Sequence, residues 1–261
     1  MQVIPQAGAW GLGRMGHKRS IKKEGATTMV KIIRSKERHF ADHGWLQTNW
    51  HFSFAEYHDP ANMHWGALRV FNDDVVQPGE GFPMHGHRDM EIITCVLDGA
   101  LEHRDSMGNQ GVIHPGEVQV MSAGSGIQHS EFNHSKEEPL HLLQLWIFPR
   151  TKGLKPRWEQ KVFSATERAG KLLPVVSSGD LPGTLSIDQD ATIFLSSLAA
   201  GTEVTHMSRA GRKPYLFVIS GGVTLNGEQL SAGDQARIAD EKELRVRATK
   251  DAELILLDLP A

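Results

Sequence analysis

Residues 79–99 read Gly79-Glu-Gly-Phe-Pro-Met-His85-Gly-His87-Arg-Asp-Met-Glu91-Ile-Ile-Thr-Cys95-Val-Leu-Asp-Gly99. Glycine opens the stretch, two histidines follow at positions i and i+2, and a short apolar run closes on Asp98-Gly99. This is a short strand between turn signals, and the pattern recurs on both sides. Apolar runs lie at Gly66–Phe71, Glu117–Met121 and Leu140–Phe148. Pro78-Gly79, Gly108-Asn109 and Pro115-Gly116 punctuate them. Many short strands at close spacing predict an all-β sandwich or barrel, and no sustained helical period competes with that reading.

The second half repeats the order. Leu216-Phe-Val-Ile-Ser-Gly221 parallels Ile92–Gly99, and Ser231-Ala-Gly-Asp234 parallels His114-Pro-Gly-Glu117. Two similar β-barrels in tandem are expected, one over residues 29–150 and one over 151–261. The linker is placed near Pro149–Pro156. Residues 1–28 read as a separate tail, with Arg14, Lys18, Arg19, Lys22 and Lys23 against Glu24. They contain no continuous apolar segment of the secretory kind, and Met29 resembles a second start.

Composition narrows the function classes. Apolar residues make up 39% and charged residues 23%, the balance of a globular chain. The net charge of -3 gives no field for non-specific nucleic-acid binding. No stretch approaches the roughly 20 apolar residues of a spanning helix. The single cysteine excludes an intramolecular disulfide and points to a reducing, cytoplasmic setting. Of the 14 histidines, only His206 lies beyond residue 150, so the polar chemistry is concentrated in the first half.

Spacing turns that concentration into a site. Residues i and i+2 of a strand face the same side. His85 and His87 therefore share one face, as do His129 and Glu131 in Gly124-Ser-Gly-Ile-Gln-His129-Ser-Glu131-Phe-Asn133. Two such strands side by side would bring three imidazoles and a carboxylate together. That donor set suits Fe(II), Mn, Ni, Cu(II) or Zn and leaves coordination positions open for substrate or dioxygen. The absence of thiolates in either segment argues against a structural zinc site.

These two segments resemble the two cupin motifs. More narrowly, Arg69–Asp74, His85–Glu91, Glu102–Gly108, Ala123–Glu131 and Leu140–Ile147 resemble pirin and its bacterial relatives. The resemblance runs over about residues 30–261 and is strongest in the first barrel. It implies jelly-roll (cupin) barrels and a metal held by His85, His87, His129 and Glu131, with Fe(II) the first expectation. It also implies quercetin 2,3-dioxygenase activity, in which a flavonol ring is opened by dioxygen with release of carbon monoxide. Glu131 would accept the proton of the flavonol 3-hydroxyl. Animal pirins imply an alternative, a non-enzymatic metal- or redox-sensing regulator with a protein partner. A metal enzyme of another class is a third reading, since one fold hosts many chemistries.

The remaining candidates have blander readings. Glu91 is left out of the ligand set. His103 shares strand parity with Leu101 and Asp105 and is a candidate for the pocket wall. His114 is expected to be exposed and His141 to bond structurally. His43, His51, His58 and His64, with Trp45, Trp50, Phe52, Phe54 and Trp65, are expected to build core or a lid. Cys95 reads as a buried, inert thiol. His206 stands alone, so the second barrel is expected to be structural. The expected ligands are a small aromatic substrate and dioxygen, acting on a monomer with no membrane partner.

Overall fold

The computed structural model describes residues 29–261, so the basic tail lies outside the described residues. Four antiparallel-dominated sheets form two barrels, each pairing a seven-stranded sheet with a four-stranded one. In the first barrel the large sheet runs Arg157–Val162, Glu117–Ser122, Glu91–Asp98, Leu140–Ile147, Leu68–Val76, Leu46–Trp50, His39–Asp42. Facing it lie Gly81–His87, Ile127–Asn133, Leu101–Asp105 and Gln110–Ile113 in that order.

The second barrel repeats this order strand for strand. Tyr215–Ser220 takes the place of Glu91–Asp98, and Gln235–Ala239 that of Glu117–Ser122, as the internal repeat predicts. Glu203–Met207 and Glu243–Ala248 take the places of the two strands that carry the histidine motifs. Among the described residues, no helix is long and apolar enough to cross a membrane.

The edge strands are exchanged. Met29–Ile33 pairs with Gln235–Ala239 in the second barrel, and Arg157–Val162 pairs with Glu117–Ser122 in the first. A division at residue 150 therefore assigns both strands to the barrel opposite the sheet they join. Local patterning marks a strand but not its neighbour, which is why the boundary misplaces them.

The two large sheets pack face to face. Phe71, Ile93, Cys95, Leu143 and Leu145 of the first meet Ile193, Tyr215, Phe217 and Ile255 of the second in one buried cluster. The central strands are thus covered on both faces, which explains their continuous apolar runs. On the other face of the first large sheet the lumen is apolar at both ends, around Leu46, Val76 and Leu142 at one and Ile92, Met121 and Ile127 at the other. Between them one polar row crosses the sheet in register: Asn72 beside Gln144, Gln144 beside Thr94, Thr94 beside Gln119.

Candidate metal centre

The strands Gly81–His87 and Ile127–Asn133 are hydrogen-bonded neighbours, with His85 directly opposite His129. A register shift between His129 and Glu131 accommodates the pairing. The turns the sequence assigns to glycine use its freedom at Gly79 (φ 70°) and Gly126 (φ 134°).

His85, His87 and His129 form a compact triangle. Their ring centroids are 4.5 Å (His85–His129), 4.8 Å (His85–His87) and 4.9 Å (His87–His129) apart. Their potential ligand atoms all lie within 4.8 Å of one another. A second trio, His103, His129 and Glu131, meets the same distance and shares His129. Glu131 thus joins the histidines through His129, and His103 stands closer to the centre than its sequence reading required.

Protonation favours ligation. His85 Nδ1 lies 2.7 Å from the Pro83 carbonyl, which can only accept, so Nδ1 is the donor there and Nε2 is the nitrogen left for an ion. Burial, then the neighbouring His129 and His85, holds His87 down at about 4. Burial, then His85 and His103, holds His129 at about 3. Both rings are therefore neutral at pH 7. His129 is 1% exposed, and neither of its ring nitrogens has a hydrogen-bond partner. Such an orphaned buried imidazole is costly unless something binds it. Three converging imidazoles with a carboxylate alongside fit one divalent metal ion.

Glu131, 2% exposed, is held from two sides. Gln144 Nε2 donates to Oε2 at 2.7 Å and Gln119 Nε2 to Oε1 at 3.3 Å. Each glutamine carbonyl in turn accepts an indole N–H, from Trp146 at 3.1 Å and from Trp158 at 2.7 Å. These two glutamines and the orienting role of the tryptophans were missed in the sequence; the polar residues in otherwise apolar strands were the available signal.

A cavity of about 490 Å³ opens beside His85, His87 and Glu131, within the size range of small-molecule sites. Trp45, Trp50, Phe54, Phe82 and Trp146 wall it, and Asn72, Asp74 and Gln144 add polar groups. A larger groove of about 840 Å³ on the second barrel is lined by charged and turn residues such as Glu203, Asp240 and Arg245. It lacks converging ligands, so the smaller cavity is the better candidate.

Trp45, Trp50 and Phe54 line the cavity while Phe52 joins the core between the barrels. His43 lines the cavity near Glu56. His51 is buried between the barrels against Tyr215. His64 bonds the Gly66 carbonyl, and His58 and His114 are exposed. His141 bonds Asp73 at 2.7 Å. Glu91 bonds Ser122 and stands in neither trio. Burial pushes the Cys95 thiol up to about 12, so it is inert. In the second barrel His206 bonds Asp258 at 3.0 Å.

Comparison with known proteins agrees with this architecture. The family model described as Pirin matches residues 33–147, and that described as Quercetinase C-terminal cupin domain matches residues 174–259. The chain is 46% identical over 233 residues to a quercetin 2,3-dioxygenase of Escherichia coli (strain K12), covering 89% of this chain and 99% of that protein. It is 48% identical over 219 residues to a pirin-like protein of Caulobacter vibrioides, covering 84% of this chain and 94% of that one. The crystal structure of the bacterial pirin YhhW from Escherichia coli, in complex with nickel(II), superposes with a TM-score of 0.85 at 43% identity, covering 89% of this chain and 99% of that one.

Proposed function

Because this chain belongs to the pirin family, we propose that it is a metal-dependent dioxygenase that opens the ring of a flavonol-like aromatic. The observation that carries the reading is the triangle of His85, His87 and His129, two of which line an aromatic-walled cavity, with the His129 nitrogens unpartnered. His85, His87, His129 and Glu131 would hold one divalent ion, with Fe(II) the first choice and Zn, Mn, Ni and Cu compatible with the same donors. When bound, such an ion supplies Lewis acidity toward a substrate oxygen and open positions for dioxygen.

The chain's own residues would do the rest. Trp45, Trp50, Phe82 and Trp146 enclose a planar ring and exclude water from it. Gln119 and Gln144 hold the Glu131 carboxylate so that each oxygen keeps a second lone pair. One would be available to the ion; another could accept the proton of a substrate hydroxyl, which would make Glu131 the base. A cytoplasmic monomer is part of this proposal.

The test is oxygen uptake with quercetin, using protein reconstituted separately with Fe(II), Mn, Ni, Cu and Zn, with His85→Ala as the control. Metal-dependent uptake with loss of flavonol, absent in the variant, supports the dioxygenase. Stoichiometric metal binding without uptake for any metal moves the reading to a metal- or redox-sensing regulator with a protein partner.

A further inference from the structure

The polar row across the first barrel divides into a committed half and a free half. Gln119 and Gln144 spend their amides on Glu131 and on the two indoles. Asn72 and Asp74 do not. They sit two residues apart on the strand Leu68–Val76, face the same side, and line the cavity that also contains His85, His87 and Glu131. Asn72 is 4% exposed and Asp74 2%. Asn72 Oδ1 and Asp74 Oδ1 nevertheless lack a hydrogen-bond partner, as does the Thr48 hydroxyl opposite Asp74. The Thr48 side chain favours the ionised Asp74 carboxyl, against the effect of burial, yet its hydroxyl completes no hydrogen bond.

Buried polar atoms are almost always paired, so unpaired ones that face a cavity mark where a ligand's polar groups belong. The Asn72 carbonyl can only accept. Burial, reinforced by Asp73 and Glu131, pushes the Asp74 carboxyl up to about 7 in the metal-free protein, and in either protonation state the carboxyl keeps an oxygen that can accept from a ligand hydroxyl. A phenolic hydroxyl, itself donor and acceptor, satisfies such a pair; an unsubstituted ring edge or an ether does not.

We propose that Asn72 and Asp74 are specificity-determining residues that read ring hydroxyls other than the one directed to the metal, so that the site selects polyhydroxylated aromatics over bare ones. This deepens the dioxygenase reading and rests on it for the aromatic character of the ligand.

The experiment is calorimetric titration of Zn(II)-loaded protein, without oxygen, with quercetin and with 3-hydroxyflavone. The second keeps the metal-directed hydroxyl and carbonyl but has no other hydroxyls. Metal content is measured for every variant. The expected result is a preference of about tenfold for quercetin in the unaltered protein, removed in Asp74→Leu and in Asn72→Leu while 3-hydroxyflavone stays within about twofold. Asp74→Asn, which keeps shape and polarity, should retain most of the preference and so separate lost hydrogen bonding from repacking. Equal binding of the two ligands by the unaltered protein, or equal weakening of both in the leucine variants, overturns the proposal. If neither ligand binds, the flavonol reading fails and takes this inference with it. If the preference is found but no metal supports oxygen uptake, the dioxygenase reading fails and the hydroxyl-reading pair stands.

Discussion

The indole N–H of Trp158 donates to Gln119 Oε1 at 2.7 Å, and that bond decides which end of the amide meets Glu131. An indole can only donate, so the amide must turn its carbonyl to Trp158 and its NH2 to the carboxylate. Trp146 fixes Gln144 in the same way. Trp158→Phe keeps a ring against His103, on which Trp158 stacks at 5.4 Å, but removes the donor. The amide is then free to flip and set oxygen against oxygen. Loss of such an orienting partner typically weakens metal binding by about 10–100-fold. Titration of metal-free protein should show a fall of that order, with the folded state retained by circular dichroism; wild-type affinity would remove the orienting role.

Glu131→Gln tests the carboxylate from the other side. Two amide NH2 groups already converge on it. A glutamine there presents one NH2 of its own to a donor and gives the ion a neutral oxygen in place of a charged one. Some metal should remain through His85, His87 and His129. Turnover should drop by about 100-fold or more, the usual contribution of a positioned base. Unchanged turnover per bound metal, followed by oxygen uptake, would rule Glu131 out as the base.

Much of this site was legible from two-residue periodicity alone. His85 with His87 and His129 with Glu131 each share a face because a strand alternates, and the recurring turn signals made the strands visible. What periodicity cannot supply is adjacency. Trp158 lies beyond the linker, on a strand that joins the first barrel by pairing with Glu117–Ser122. Nothing local to Trp158 or Gln119 announces that they meet. His51 is a similar case: it sits in a loop-rich stretch, yet its ring is buried against Tyr215, 164 residues away. His103 was visible by parity as a pocket candidate. Its nearness to Glu131 follows from their opposition across neighbouring strands, a register the sequence does not print.

Asp74 gives a pH signature with a definite sign. Burial holds its carboxyl at about 7 in the folded protein against 3.8 as the ordinary value. Between those values the folded state keeps a proton that the unfolded state has released. The contribution of Asp74 to stability is therefore fully present below pH 3.8 and is lost as pH rises through 7. His51, His87 and His129, held low chiefly by burial, act in the opposite sense, so the net slope of the unaltered protein mixes both. Comparison with Asp74→Asn cancels the histidines. On going from pH 5 to pH 7 the unaltered protein should lose about 2 kcal/mol relative to the variant. Denaturant unfolding of metal-free protein at the two pH values measures this; parallel behaviour would mean that Asp74 is ionised throughout.

The two glycines of the first motif strand should respond oppositely to alanine. Gly86 stands between the two histidines, yet a Cβ there would meet nothing nearer than 3.8 Å, and its side faces solvent. Gly81, at the far end of the strand, lies opposite Phe132 on the partner strand. A Cβ at Gly81 would lie 2.3 Å from the Glu131 carbonyl oxygen and 2.5 Å from Phe132 Cα. Both obstacles are backbone, so no side-chain rotation relieves the overlap and the two strands must part. One carries His85 and His87 and the other His129 and Glu131, so parting them opens the triangle. Metal–ligand distances tolerate only about 0.2 Å of error. Gly81→Ala should therefore cost metal affinity on the scale of a lost orienting contact, about 10–100-fold, with every ligand still in place. Gly86→Ala should bind metal as the unaltered protein does. If calorimetry finds the reverse order, the pairing of these strands does not set the geometry of the centre.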